Sequence, residues 1–237
     1  MLMLIFMISI AGAVEWPTSI QRCLRSEPQL DKCLLRAAKQ AVPRFAKGIA
    51  EIGVEALDPL TGANFTLGSD TGPVALRVYA DHVNITGPSK IQIKKIIYNE
   101  KQSQLEVTGF HKLLKMSGSF NANGRILVFP INTKGYFTFD FREVNALHTV
   151  KIKRSLQERF NERSVQFSVN NLGKVIVNLK DVNHKNCNNL NRLVNDNWKI
   201  VTNAMIPSME TAIQRIYGRA LIPLFDRFSL DDILPIA

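Results

Sequence analysis

Residues Leu190–Phe225 read LNRLVNDNWKIVTNAMIPSMETAIQRIYGRALIPLF, and this stretch decides the fold. Its apolar positions are Leu190, Leu193, Val194, Trp198, Val201, Met205, Met209, Ala212, Ile213, Ile216, Tyr217, Ala220, Leu221, Leu224 and Phe225. Nearly every step is three or four residues, which lays one wide apolar stripe along a helix face. At about 1.5 Å per residue the helix would be roughly 50 Å long, more than most domains are wide. Pro207 interrupts the run, so a kink or two consecutive helices is expected rather than a straight rod. Asn189 or Asn191 is a candidate N-cap, and Asp196 lies near the positive end. A stripe of this length is either plain core or the wall of a ligand chamber, and the preceding sequence must supply its cover.

The cover is a run of strands. From Asn64 to about Asp181 the apolar period changes from 3.6 to 2. Val74, Leu76 and Val78 alternate with Ala75, Arg77 and Tyr79, and then the parity flips to Val83 and Ile85, which predicts a bulge near Asp81-His82. Further strands are expected over 91–98, 104–110, 113–120, 125–130, 135–144, 149–153, 165–169 and 175–179, with Gly87-Pro88 and Asn121-Ala122-Asn123-Gly124 as turn signals. In Tyr136–Arg142 the phenylalanines Phe137, Phe139 and Phe141 share one face and Thr138, Asp140 and Arg142 the other, the mark of an antiparallel sheet with one apolar side. The α+β arrangement that follows is a curved antiparallel sheet wrapped around the long C-terminal helix.

Ahead of the strands, Asp31 is placed as the N-cap of a helix carrying Leu34, Ala37, Ala38, Ala41, Val42 and Phe45, bent at Pro43 and ending near Gly48. Met1–Ile10 is almost wholly apolar and is followed by Ala11-Gly12-Ala13, which reads as a secretory signal peptide over 1–13 with one mature domain over 14–237. The apolar run is too short to span a bilayer, so no integral membrane association is expected. An oxidising compartment favours a Cys23–Cys33 bridge and leaves Cys187 as a free thiol or an interchain link. The sequons at Asn64 and Asn84 fit secretion and fall on the polar parity of their strands.

The 237-residue chain has a net charge of +10, which suits an anionic partner or simply a solvated basic exterior. Lys94, Lys101, Lys112, Lys115, Lys151 and Lys153 are strewn over several strands on the wet side or in loops, and no Arg/aromatic platform for nucleic acid is present. No nucleophile elbow, H-E-x-x-H or phosphate loop occurs, and His82, His111, His148 and His184 lack metal-ligand spacing and read as surface or strand residues. Asp58, Asp231 and Asp232 read as turn or capping residues. No catalytic residue, metal or cofactor is expected.

Several segments resemble the takeout and haemolymph juvenile-hormone-binding protein family of insects. They are Cys23–Leu35, Phe45-Ala46-Lys47-Gly48-Ile49, Leu57-Asp58-Pro59-Leu60, Met116–Phe120, Asn123–Ile126, Leu193–Trp198 and Leu224–Phe228, in the family's order. The resemblance implies a curved sheet around a long helix, enclosing an apolar tunnel that carries a terpenoid hormone or a fatty acyl lipid without catalysis. Dedicated hormone carriers of the family tend to have a second disulfide, for which Cys187 has no partner, so the takeout-like branch is favoured. The expectation is a secreted monomer in insect haemolymph, with Phe137, Phe139, Phe141, Trp198, Met205, Met209 and Ile213 lining the ligand chamber, chosen from strand parity and helix stripe. The alternative is an extracellular basic protein that holds anionic lipid or glycan at its surface.

Overall fold

The computed structural model describes residues 15–18, 20–185 and 187–236; the signal-peptide reading of residues 1–13 lies outside them. One six-stranded antiparallel sheet runs in the order β1 (Leu60–Ser69), β2 (Val74–Thr86), β4 (Gln104–Ile126), β5 (Phe129–Lys151) and β6 (Val165–Asp181). The short β3 (Gln92–Asn99) pairs with the first part of β4, end to end with β2 on the same side. Around it stand α1 (Leu30–Lys47), α2 (Asn188–Asp196), α3 (Trp198–Arg227) and α4 (Leu230–Ile233).

The two central strands are 23 residues each and keep a single register from Gln104↔Lys151 to Ile126↔Phe129, joined by a tight loop at Leu127-Val128. The runs expected separately at 104–110 and 113–120 are therefore one strand, as are those at 135–144 and 149–153. What the pattern shows there is a crease. Buried positions on β4 are odd at His111 and even from Met116 to Ile126; on β5 they are odd from Phe137 to Phe141 and even from Val144 to Ala146. The flips fall at Lys112 and Glu143, opposite one another, with Glu143 at φ 55°. Gly173 lies against the same point from β6, where a Cβ would stand 2.9 Å from that of Glu143. A crease running through three neighbouring strands bends the sheet sharply into a roll. The bulge expected on β2 is present: the register shifts between Asp81 and Asn84, and His82 has φ 50°.

Asn121-Ala122-Asn123-Gly124, read as a turn, is mid-strand. Each of the four pairs with both β2 and β5, and Gly124 lets the Ala75 carbonyl approach to where a Cβ would be. Its φ of +138° is a conformation that side-chain-bearing residues avoid.

The roll leaves β1 and β6 as edges that the C-terminal helices bridge, while the edge of the short β3 lies against α1. Asn191 and Asn195, one turn apart on α2, face the edge of β6. The Leu179 N–H donates to Asn191 Oδ1 at 2.7 Å while Asn191 Nδ2 donates to the Leu179 carbonyl at 3.1 Å. Val177 exchanges the same pair of bonds with Asn195, at 2.8 and 2.7 Å. Further along, the Val169 N–H donates to Glu210 at 2.6 Å, and on the opposite edge the Gly68 N–H donates to the Ser208 hydroxyl at 3.2 Å. This use of Asn191 displaces its expected capping role: α2 starts at Asn188 with Cys187 at the N-cap and no side-chain cap.

The helix run does break in two, but at Asn197 rather than at Pro207. Asn197 ends α2 by giving its backbone N–H and its Nδ2 to the Leu193 carbonyl, at 3.3 and 2.8 Å. Pro207 is exposed and sits inside α3 without ending it, because its missing N–H faces solvent and not core. Asp196, the last residue of α2, stands just ahead of the positive end of α3.

Two apolar cores lie along α3. The larger lies inside the roll and includes Met205 and Ala212; the smaller gathers α1, Ile96, Ile152, Phe160 and the C-terminal residues Leu224, Phe225 and Phe228. The Cys23–Cys33 disulfide is formed and ties the N-terminal segment to α1. That helix starts one residue before the expected cap, so Asp31 lies in its first turn, where its charge still suits the dipole. Trp16 packs edge-on against Phe228, and Arg25 pairs with Asp231 and donates to the Leu234 carbonyl, so both chain ends share one clamp. Lys153, expected on the wet side, is buried; its ammonium donates to the Asp226 carbonyl at 2.7 Å in the last turn of α3, the negative end of that helix.

Candidate ligand chamber

The concave side of the sheet and the inner face of α2 and α3 do not fill the roll. Among the described residues, two adjoining chambers lie between them. The larger has a cavity volume of about 100 Å³ and is walled by Phe65 and Leu76 from the first hairpin, Met116 and Phe120 from β4, Phe137, Phe139 and Phe141 from β5, and Val194, Val201, Met205 and Met209 from the helices. The smaller offers about 50 Å³ and is walled by Ile85, Leu114, Val144, Phe167, Ile213 and Tyr217 among others. Met116, Phe141, Thr202 and Met209 border both, so these four side chains are a partition between two parts of one lumen. Two of the four are methionines, whose unbranched thioether chains change rotamer at low cost.

The wall follows from strand alternation. Phe137, Phe139 and Phe141 face inward with ring centroids 4.7 and 6.1 Å apart along the strand, and Phe120 from β4 meets Phe137 edge-on. Six of the seven residues chosen from the sequence border the lumen: the three phenylalanines, Met205, Met209 and Ile213. Trp198 does not. It opens α3 half-buried at the rim of the core, with the ammonium groups of Lys174 and Lys199 5.6 and 5.7 Å from its ring centre. Met116 and Thr202 were not singled out; Met116 shares the even parity of Phe120, the one signal that could have found it.

The polar exception is the inner end of the smaller chamber, beyond the crease. His111, 2 % exposed, borders it from β4. His148 on β5 lies 6.2 Å from it between ring centroids and packs edge-on against Phe167 and Tyr217. Burial lowers both imidazoles to about 4, against a Gly87 backbone hydrogen bond that favours the charged form of His111, and the neighbouring His111 further lowers His148. Both rings are neutral at pH 7. Burial, with a smaller contribution from Asp58, raises the Tyr217 phenol above its ordinary value.

Asp58 stays a turn residue, as read. It accepts the N–H groups of Gly87 and Ser89, each at 3.0 Å, and the Ser89 hydroxyl. Burial works to raise its carboxyl, but these hydrogen bonds and Lys90 outweigh it and hold the group below the usual range. Among the described residues, the one cluster of metal-ligand types is Cys23, Glu27 and Cys33, whose sulfurs are bonded to each other. No helix among them is long and apolar enough to cross a membrane. The two sequon asparagines, Asn64 and Asn84, are exposed, and Cys187 is a half-buried free thiol raised by burial and by Asp181.

No curated protein matches the sequence. Among solved structures, Takeout 1 of Epiphyas postvittana superposes with a TM-score of 0.69 over 91% of this chain and 99% of its own, at 20% identity, a likeness of fold. The model of the haemolymph juvenile hormone binding protein family matches residues 1–235, nearly the whole chain, and the protein belongs to that family.

Proposed function

We propose that the protein is a secreted, monomeric carrier that encloses one slender apolar molecule, a terpenoid such as juvenile hormone or a fatty acyl lipid, without transforming it. The observation that carries this reading is the apolar lumen between sheet and helix, with aromatic and aliphatic walls along its larger part. Family membership and the disulfide support carriage and export. Binding would be driven by removing ligand surface from water, at about 25 cal/mol per Å² before the costs of association. Phe137, Phe139, Phe141, Met205, Met209 and Ile213 would line the bound ligand, and the methionine partition would open to let a long chain run through both chambers.

Native mass spectrometry of the protein from a eukaryotic secretory host, followed by lipid extraction, tests the reading. A one-to-one complex that releases an extractable lipid is expected, and delipidated protein should rebind fatty acids or terpenoids. Binding should fall at least tenfold in Met209→Trp, which fills the partition, and should barely respond to salt. Absence of any bound or rebound apolar molecule would sink it. Binding that collapses with salt would instead place the ligand on the basic exterior.

A further inference from the structure

Most of the lumen asks nothing of a ligand except that it be apolar. Its inner end asks for more. His111 Nδ1 and His148 Nε2 are both buried without a hydrogen-bond partner, against the general rule that such atoms are satisfied. Their rings are 6.2 Å apart, close enough for one oxygen to reach a nitrogen of each.

The hydrogen-bond inventory decides what that oxygen must be. The other ring nitrogen of His111 lies beside the Gly87 backbone, whose N–H is already given to Asp58, so it is the Gly87 carbonyl that favours a proton there. With its proton on that side, a neutral His111 presents Nδ1 as a bare acceptor. His148, also neutral, carries one N–H, and in the tautomer that places it on the buried Nε2 the pair presents one acceptor and one donor. A hydroxyl matches both, donating to His111 and accepting from His148. An ether or ester oxygen accepts only, and leaves His111 unsatisfied. A carboxylate also accepts only, and would have to shed its water beside Phe167 and Tyr217, since Lys115, the cation on the lining, is mostly exposed and faces Asp140 at 3.8 Å.

We propose that His111, on the lining of the smaller chamber, and His148, just behind it against Phe167 and Tyr217, are a polar anchor, and that the preferred ligand is a long-chain or isoprenoid alcohol held head-first, its hydroxyl bridging the two imidazoles and its tail running past the Met116/Met209 partition into the larger chamber. This inference rests on the carrier reading above and adds the head group to it. Loss of a hydrogen bond from a site built around it weakens binding about ten- to a hundredfold.

The test is displacement of a fluorescent apolar probe, N-phenyl-1-naphthylamine, from delipidated full-length protein by hexadecanol, its methyl ether, hexadecane and palmitate. The alcohol should compete at least tenfold better than the ether, and this ratio, taken within each protein, should fall towards one in His111→Phe and in His148→Phe. If the probe and all four compounds fail to bind, the carrier reading itself falls. If alcohol and ether compete equally in the wild type, the carrier reading stands and the anchor is wrong; a structural water held between the rings would give this result. A ratio that survives in both variants overturns the anchor as well. Should the variants not fold, ¹⁵N imidazole shifts of the wild type decide: a change at His111 Nδ1 with the alcohol but not the ether supports the anchor, and no change overturns it.

Discussion

Asn195 on α2 takes both backbone groups of Val177 on β6, accepting its N–H at 2.8 Å and donating to its carbonyl at 2.7 Å, so that a side-chain amide stands where a seventh strand would pair. The same amide also donates to the Asn191 carbonyl at 2.8 Å. Asn195→Leu keeps the volume and strands two part-buried backbone groups. It should cost about 2–4 kcal/mol in urea unfolding, since each unsatisfied group costs roughly 1–3 kcal/mol. Amide exchange at Val177 should accelerate more than at Phe141, deeper in the sheet. Uniform acceleration would mean that the amide contributes to global stability without sealing this edge.

Gly124 tests whether β4 is one continuous strand. A Cβ there would lie 2.2 Å from the Ala75 carbonyl oxygen, and φ is +138°. Gly124→Ala should therefore destabilise by more than about 2 kcal/mol, combining steric overlap with an unfavourable backbone region. A surface turn at this point would lack the overlap with Ala75, and the change would cost only what a left-handed backbone does, about 1–2 kcal/mol. Denaturant midpoints at constant slope distinguish the two.

The disulfide closes a ten-residue separation at the clamp where Trp16, α1 and the C-terminal tail meet. By loop-closure entropy, removing both sulfurs in a Cys23→Ala/Cys33→Ala double variant should cost about 3 kcal/mol. Because the second core is built on this clamp, the Trp16 component of fluorescence should shift to the red before the roll unfolds. Coincident transitions at Trp16 and Trp198 would show that the two cores melt as one unit.

The architecture was legible because both amphipathic periods are sustained: Phe137/Phe139/Phe141 declare the inner face of the sheet and the Leu190–Phe225 stripe declares what it covers. The crease hid the strand lengths, since a parity flip at Lys112 and Glu143 looks in one dimension like the end of one strand and the start of another. Two consecutive helices are present, but Pro207 does not divide them, because local propensity cannot tell an exposed helix face, where a lost N–H is harmless, from a buried one. The break at Asn197 carries a side-chain donor added to the backbone one on the Leu193 carbonyl, which no periodicity announces. Trp198 was drawn to the chamber by its stripe position, yet the first turn of α3 carries it to the rim. His111 and His148 were passed over because a spacing rule looks for ligands close in sequence, whereas this pair meets across β4 and β5, one on each strand.

That pair also sets how stability depends on acidity. Burial lowers both imidazoles to about 4, with His111 adding to the effect on His148, against an ordinary value near 6.5. Between those values the unfolded chain binds two protons that the folded chain refuses, so stability is complete above pH 6.5 and declines as the pH falls towards 4. The displacement corresponds to about 3 kcal/mol per histidine by the time the folded value is reached. Asp58 does not overlap this window: its carboxyl is held below the ordinary value of 3.8, so its contribution is lost only at lower pH. Urea unfolding at pH 7.5, 6.5, 5.5 and 4.5 should show the decline, and His148→Phe should remove about half of it while leaving the region above pH 7 flat. A wild-type slope that persists in full in both His148→Phe and His111→Phe would mean that other groups carry the acid sensitivity and that the two rings are not held neutral by burial.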